Sequence, residues 1–183
     1  MSELKEIQIQ DFQVNPFEMI GKDWMLITAE KNGKVNTMTA SWGGLGVIWN
    51  YNVAFIFVRQ SRYTKEFIDQ ADSFSLTFYD TDKYRKMLAY LGNVSGRDED
   101  KISKSGLTIA HEKGIPYFEE ANTVILCKKL SRHFLGKEGF IKDTINSQWY
   151  SDNDYHEIYI GEVVNILKVN YTRALLFTAT GFN

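Results

Sequence analysis

The sequence predicts a mainly β fold, an antiparallel barrel or sandwich with peripheral helices, and three observations predict it. Short apolar or alternating runs recur along the chain, as in Trp24–Ala29, Ser73–Phe78 and His156–Val164, and that period of two belongs to strands. Turn formers, among them Asn32-Gly33 and the glycines at 43, 44 and 46, separate these runs. Helical spacing is confined to a few brief stretches, and no repeat or low-complexity linker divides the 183 residues, which are read as one domain over 1–183.

Taken in order, the opening segment to Gly21 alternates at Ile7 and Ile9 and then turns at Asn15-Pro16, as an edge strand or an arm would. Trp24–Ala29 reads as a buried strand, and Asn32-Gly33 supplies the two positive-φ positions of a tight hairpin. The returning strand, Val35–Trp42, is unusually small and hydroxylic, so something other than aliphatic packing is expected against one face. Gly43, Gly44 and Gly46 are read as a turn, after which Val53–Val58 resumes as a strand buried on both faces. A short helix over 63–70 buries Phe67 and Ile68, Ser73–Phe78 alternates strictly, and an N-cap at Asp80–Asp82 opens a helix that Gly92 stops. Asn93–Gly106 is a polar loop with at most one helical turn. Thr123–Leu130 and His156–Val164 are later strands, and Ala174–Phe177 is a short apolar close.

Composition excludes several classes of function. A formal charge of −2 with mixed signs gives no electrostatic footprint for nucleic acid or for an anionic membrane, and neither partner is expected. The N-terminus lacks the layout of a signal peptide and no apolar run approaches a membrane span, so a cytoplasmic location is expected. Cys127 is the one cysteine, which rules out an intrachain disulfide and a cysteine-based zinc site. His111, His133 and His156 are too scattered in sequence to suggest a metal centre, and none is expected. Gly43-Gly44-Leu45-Gly46 has neither dinucleotide-fingerprint spacing nor a P-loop lysine, and no nucleophile elbow occurs.

Two segments carry chemistry. Arg59-Gln60-Ser61-Arg62-Tyr63-Thr64 gathers guanidinium groups and hydroxyls at a strand-to-helix junction, where free backbone N–H groups also favour an anion such as a phosphate monoester. A solvated turn with an ordinary cap at Ser61 is the plainer alternative. Asn36, Thr39 and Ser41, with the backbone of Met38 and Ala40, offer donors and little bulk beside a flat heteroaromatic ring, and Trp42 offers either a wall for that ring or a core aromatic.

These segments, in this order, resemble the flavin reductase-like and flavoredoxin family, whose members bind FMN on a split β-barrel. Asn36–Gly43 resembles the family strand that lines the flavin, and Arg59–Thr64 resembles its phosphate cluster. The loop Asp100–Leu107 resembles the one whose lysine approaches the cofactor, with Lys101 the first candidate and Lys104 the second. A surface lysine is the alternative for each. His156–Val163 resembles the late strand that opens with a histidine near the ring, the alternative being a structural histidine. The resemblance spans Asn15–Val164 and fails over the insert 136–154, which does not align. It implies an FMN-binding split β-barrel of Greek-key type, a homodimer, and electron transfer from NADH or NADPH through FMN to free flavin or another acceptor. Asn36, Met38, Thr39, Ala40, Ser41, Trp42, Arg59, Ser61, Arg62, Tyr63, Thr64, Lys101 and His156 would then form the site, with Trp42 and His156 positioning the ring and no side chain acting as acid or base. An FMN-binding electron carrier reduced by a partner protein, and a split-barrel module for another flat ligand, are the competing implications.

Overall fold

The structure, a computed structural model, describes residues 3–169; the apolar close expected at Ala174–Phe177 lies outside them. Ten strands and five α-helices alternate: β1 Leu4–Ile7, α1 Pro16–Gly21, β2 Met25–Lys31, β3 Lys34–Ala40, β4 Gly43–Ile48, β5 Tyr51–Arg59, α2 Tyr63–Gln70, β6 Ser73–Phe78, α3 Thr81–Asn93, α4 Lys101–Ser105, β7 Ile109–Glu112, β8 Ile115–Phe118, β9 Thr123–Phe134, α5 Thr144–Trp149 and β10 His156–Val169. The main sheet runs β3-β2-β6-β9-β10-β5-β4, with β1 added beside β10 and every pairing antiparallel. Its two end strands, β3 and β4, are consecutive in the chain and joined only by Ser41 and Trp42. So short a connection forces the sheet to curl until its ends nearly meet, which is the split barrel that the family resemblance implies.

Burial on both faces of the curled sheet explains why the central strands are nearly continuously apolar. Met25, Ile27, Phe74, Leu76, Cys127 and Tyr159 fill one cluster together with Phe67 and Ile68 from α2. The intervening Leu26, Val124 and Leu126 face a second cluster with Leu88 and Leu91 of α3, Ile102 of α4 and Phe118 of β8. Each such side chain contributes about 1.5–3 kcal/mol by leaving water. The β2–β3 hairpin turns as expected through Asn32 and Gly33, with φ of 51° and 74°.

Three expectations need correction. Gly43–Gly46 is not a turn but most of β4, paired in register with β5; the turn comes later, at Trp49 and Asn50, both at positive φ. Asn15-Pro16 is a helix start, with the Asn15 side chain accepting from Phe17 N at 3.1 Å and Pro16 in the first turn of α1. Gly92 does not stop α3, which continues to Asn93 and closes with Val94 N donating to Tyr90 O. The β7–β8 hairpin and α5, inside the polar insert, were not anticipated.

Candidate functional site

The register of β10 against β5 builds the site, because His156 pairs with Arg59 and so brings the start of one strand to the end of the other. The end of β3 arrives at the same corner. Met38, Thr39, Ala40, Ser41, Trp42, Arg59, Arg62 and His156, all expected at the site, line a pocket of about 180 Å³ together with Phe57 and Trp149. It adjoins a larger cleft of about 640 Å³, the two sharing Ser41, Trp42, Phe57 and Trp149. Trp42 stacks obliquely on His156 with centroids 5.0 Å apart and meets Trp149 edge-on at 5.1 Å.

The two guanidinium groups of the junction have different surroundings. Arg59 donates to Trp149 O at 2.9 Å and to Asp154 O at 3.3 Å, with Asp152 and Asp154 carboxylates beside it at 3.4 and 3.9 Å. Asp154 also receives Ser61 N at 3.0 Å and Ser61 Oγ at 2.6 Å. Arg59 and Ser61 therefore fasten the insert, and a carboxylate of the chain already sits where they would meet an anion. Arg62 turns inward: Nη1 donates to Gly92 O at 2.8 Å, at the C-terminus of α3. Burial, and then the nearby Arg59, lower its basicity.

Lys101 lies behind Arg62 and is not a surface lysine; it is 4% exposed. Its ammonium donates to Leu91 O and Val94 O, each at 2.8 Å, so the last turn of α3 carries two cations where the helix dipole favours them. Burial, followed by the charge of Arg62, brings Lys101 down to about 8, while the two carbonyls help hold its proton. Lys104 pairs instead with Glu99 at the surface. Thr39 Oγ1 donates to Leu88 O at 2.5 Å and ties β3 to the same helix.

Asn36, Tyr63 and Thr64 do not line the small pocket. Asn36 Nδ2 donates to the Thr64 hydroxyl at 2.8 Å, and both residues are buried, which fixes β3 to α2. The Tyr63 ring is approached by the Lys34 ammonium and the Arg97 guanidinium, 5.5 and 4.8 Å from its centroid. Arg97 was missed in the sequence, as was Gly96, where a Cβ would come within 2.3 Å of Asn36 Oδ1; no motif marks either. Tyr150, in the insert, was missed as well: its hydroxyl is 2.8 Å from His156 Nδ1. Burial and the charge of Arg59 bring His156 down to about 4, so the imidazole is neutral at physiological pH. Cys127 is fully buried with its thiol pushed up, an inert packing group. No cluster of metal-ligating side chains occurs among the described residues.

A curled antiparallel sheet with a hydroxylic strand and buried cations at one corner defines the class, a split barrel of the flavin reductase type. The chain belongs to the flavin reductase like domain family, which it matches over residues 19–183. Its fold is similar to the FMN-binding domain of a flavin reductase-like enzyme from Shewanella baltica, with a TM-score of 0.67 and 16% identity over 92% of this chain and 78% of that one. It is also similar to flavoredoxin from Methanosarcina acetivorans, with a TM-score of 0.61 and 24% identity over 80% and 68% of the two chains. For an FMN-binding protein from Thermus thermophilus the TM-score is 0.63 and the identity 20%, over 90% and 81%. No curated protein sequence matches the chain.

Proposed function

We propose that this chain binds FMN and passes electrons from NADH or NADPH through it to free flavin or another acceptor, as a cytoplasmic flavin reductase-like oxidoreductase. The observation that carries the reading is the inner pair Arg62 and Lys101. Lys101 is buried and Arg62 half-buried, the side chains of both bond only to backbone carbonyls, and neither forms an ion pair with a carboxylate among the described residues. Buried cations without a counter-ion are costly unless an anion completes them. A phosphate monoester fits, since Arg62 faces the pocket with most of its donors uncommitted and Lys101 adds charge from behind. Met38–Ser41 lines the same pocket with small and hydroxylic groups, and Trp42 and Phe57 border its opening into the larger cleft, as a flat ring requires.

Bound FMN would supply hydride acceptance and electron delivery, leaving positioning and electrostatics to the protein. In that setting Trp42 borders the ring, the neutral His156 keeps a positive charge away from it, and Tyr150 fixes the imidazole. A homodimer is part of the proposal: among the described residues β4 ends the sheet with one edge unpaired and exposes Val47, with Trp49 and Tyr51 exposed at its hairpin. Light scattering giving a monomer with FMN bound would refute that part. The test of the whole is anaerobic mixing of the FMN-loaded protein with NADH and with NADPH. Bleaching of the flavin absorption is expected; no spectral change on titration with FMN would sink the reading, and a yellow protein that neither nucleotide bleaches would make it an electron carrier.

A further inference from the structure

Beside the small polar pocket, the larger cleft has a chemistry of its own. It lies between α1, the β3–β4 connection and the segment 135–150, and its volume of about 640 Å³ falls in the range of small-molecule sites. Phe17, Trp42, Phe57, Phe140, Ile145 and Trp149 dominate its walls, and no lining residue carries a charge. Its side-chain polar groups are the Ser41 hydroxyl and the indole N–H groups of Trp42 and Trp149, the Tyr150 hydroxyl being taken up by His156 Nδ1. The Arg59 guanidinium, 5.5 Å from the centroid of the Tyr150 ring, is committed to Trp149 O and the insert carboxylates.

We propose that this cleft takes the electron acceptor, and that the acceptor is a flat, uncharged conjugated carbonyl compound of the quinone type and not a flavin phosphate. The acceptor role rests on the FMN reading above; the binding preference does not. Burying a phosphate or carboxylate in this cleft would leave an ionised group with no partner, whereas a neutral aromatic gains the full apolar surface. A carbonyl oxygen has the Ser41 hydroxyl to meet. The cleft shares Ser41, Trp42, Phe57 and Trp149 with the smaller pocket, so a molecule in it lies against whatever occupies that pocket, and electrons have a short path. In the net reaction the dihydronicotinamide gives up a hydride and solvent a proton. The quinone takes the two electrons and two protons and leaves as the hydroquinone.

The segment 140–150 sets this preference, because Phe140, Ile145, Trp149 and Tyr150 all come from it and Arg59 holds it in place. Calorimetry of the FMN-loaded protein with menadione and with a naphthoquinone sulfonate tests the inference without relying on turnover. Menadione is expected to bind about tenfold or more tightly than the sulfonate, because the cleft offers the charge no partner. Ile145→Asp should remove most of the menadione affinity and Ile145→Leu should keep it, with FMN affinity unchanged in both. Equal binding of the two quinones, or full menadione binding by Ile145→Asp, would overturn the proposal. So would menadione binding that disappears once FMN is loaded, since the cofactor then fills the cleft, or light scattering in which Ile145→Asp alone dissociates a dimer, since a second copy then covers it. A protein that takes up no FMN yet binds menadione with the same preference would fault the FMN reading and leave the cleft assignment standing.

Discussion

Arg59 and Arg62 lie three residues apart at one strand-to-helix junction, yet the chain treats them in opposite ways. Arg59 ends β5 facing the insert, where Asp152 and Asp154 supply its counter-charge and Trp149 O takes a hydrogen bond. Arg62, at the N-cap of α2, turns under the pocket to the carbonyl of Gly92 and is joined there by Lys101, with no carboxylate paired to either. The same side chain is thus a fastener in one place and an uncompensated cation in the other. On the proposed reading, anion affinity follows the missing counter-charge, not the density of arginine in the sequence, and is assigned to the inner pair.

The largest effect should come from emptying the inner pair. The double variant Arg62→Ala, Lys101→Met is expected to lose FMN about 100-fold or more, as two charge-assisted interactions at about 1.5–3 kcal/mol each would imply, even with partial non-additivity. Fluorescence quenching on FMN titration measures this, with the far-ultraviolet circular dichroism of the FMN-free protein confirming the fold. Retained submicromolar affinity would move the phosphate elsewhere. Lys101→Met alone should cost about tenfold, since Lys101 acts through its charge behind Arg62. Because its carbonyl partners end α3, it should also lower the melting midpoint of the FMN-free protein.

The outer group responds in the other direction. Asp154→Asn removes the carboxylate that holds Ser61 and neighbours Arg59, so FMN should bind the same or up to about fivefold tighter, the scale of a partly exposed ion pair. Limited proteolysis should then cut more readily within 140–154. Weaker FMN binding in this variant would show that Asp154 organises the phosphate site instead of competing with it.

A separate effect is the pH dependence that His156 contributes. Its ordinary value of 6.5 is lowered to about 4 in the folded state, so the unfolded chain binds the extra proton in that window. The contribution to stability is complete above about pH 6.5 and is lost as pH falls towards 4, with unfolding there taking up as much as one proton. His156→Gln should make the melting-temperature profile less steep across that interval. An unchanged profile would mean that the imidazole meets water more freely than its 7% exposure allows.

How much of this was legible in the sequence depends on the range of the contact that decides each feature. The β2–β3 hairpin, α2 and β6 rest on local signals, Asn-Gly chemistry and periodicity, and their reading agrees with the structure. β4 was hidden because its glycines serve tertiary approach: a Cβ on Gly43 would come within 2.8 Å of Phe55 O, so the residue that reads as a breaker is the one that lets β4 pair with β5. Eight of the residues named from the sequence line one pocket. Their division of labour was not legible. Whether Arg59 or Arg62 is left without a counter-ion is decided by Trp149, Asp152 and Asp154, about ninety residues away in sequence, and no local pattern encodes that. Asn36 and Thr64 likewise satisfy each other across 28 residues and hold the framework.

The most direct measurement is the ratio of FMN to riboflavin affinity in Arg62→Ala and Arg59→Ala side by side, by fluorescence quenching at two salt concentrations. Riboflavin carries the same ring and ribityl chain without the phosphate, so the ratio isolates the anion. The inner-pair assignment predicts that the ratio falls about 10- to 100-fold in Arg62→Ala, the size of one charge-assisted hydrogen bond, and stays within about threefold of the parent in Arg59→Ala. A ratio that collapses in Arg59→Ala and survives in Arg62→Ala would contradict it.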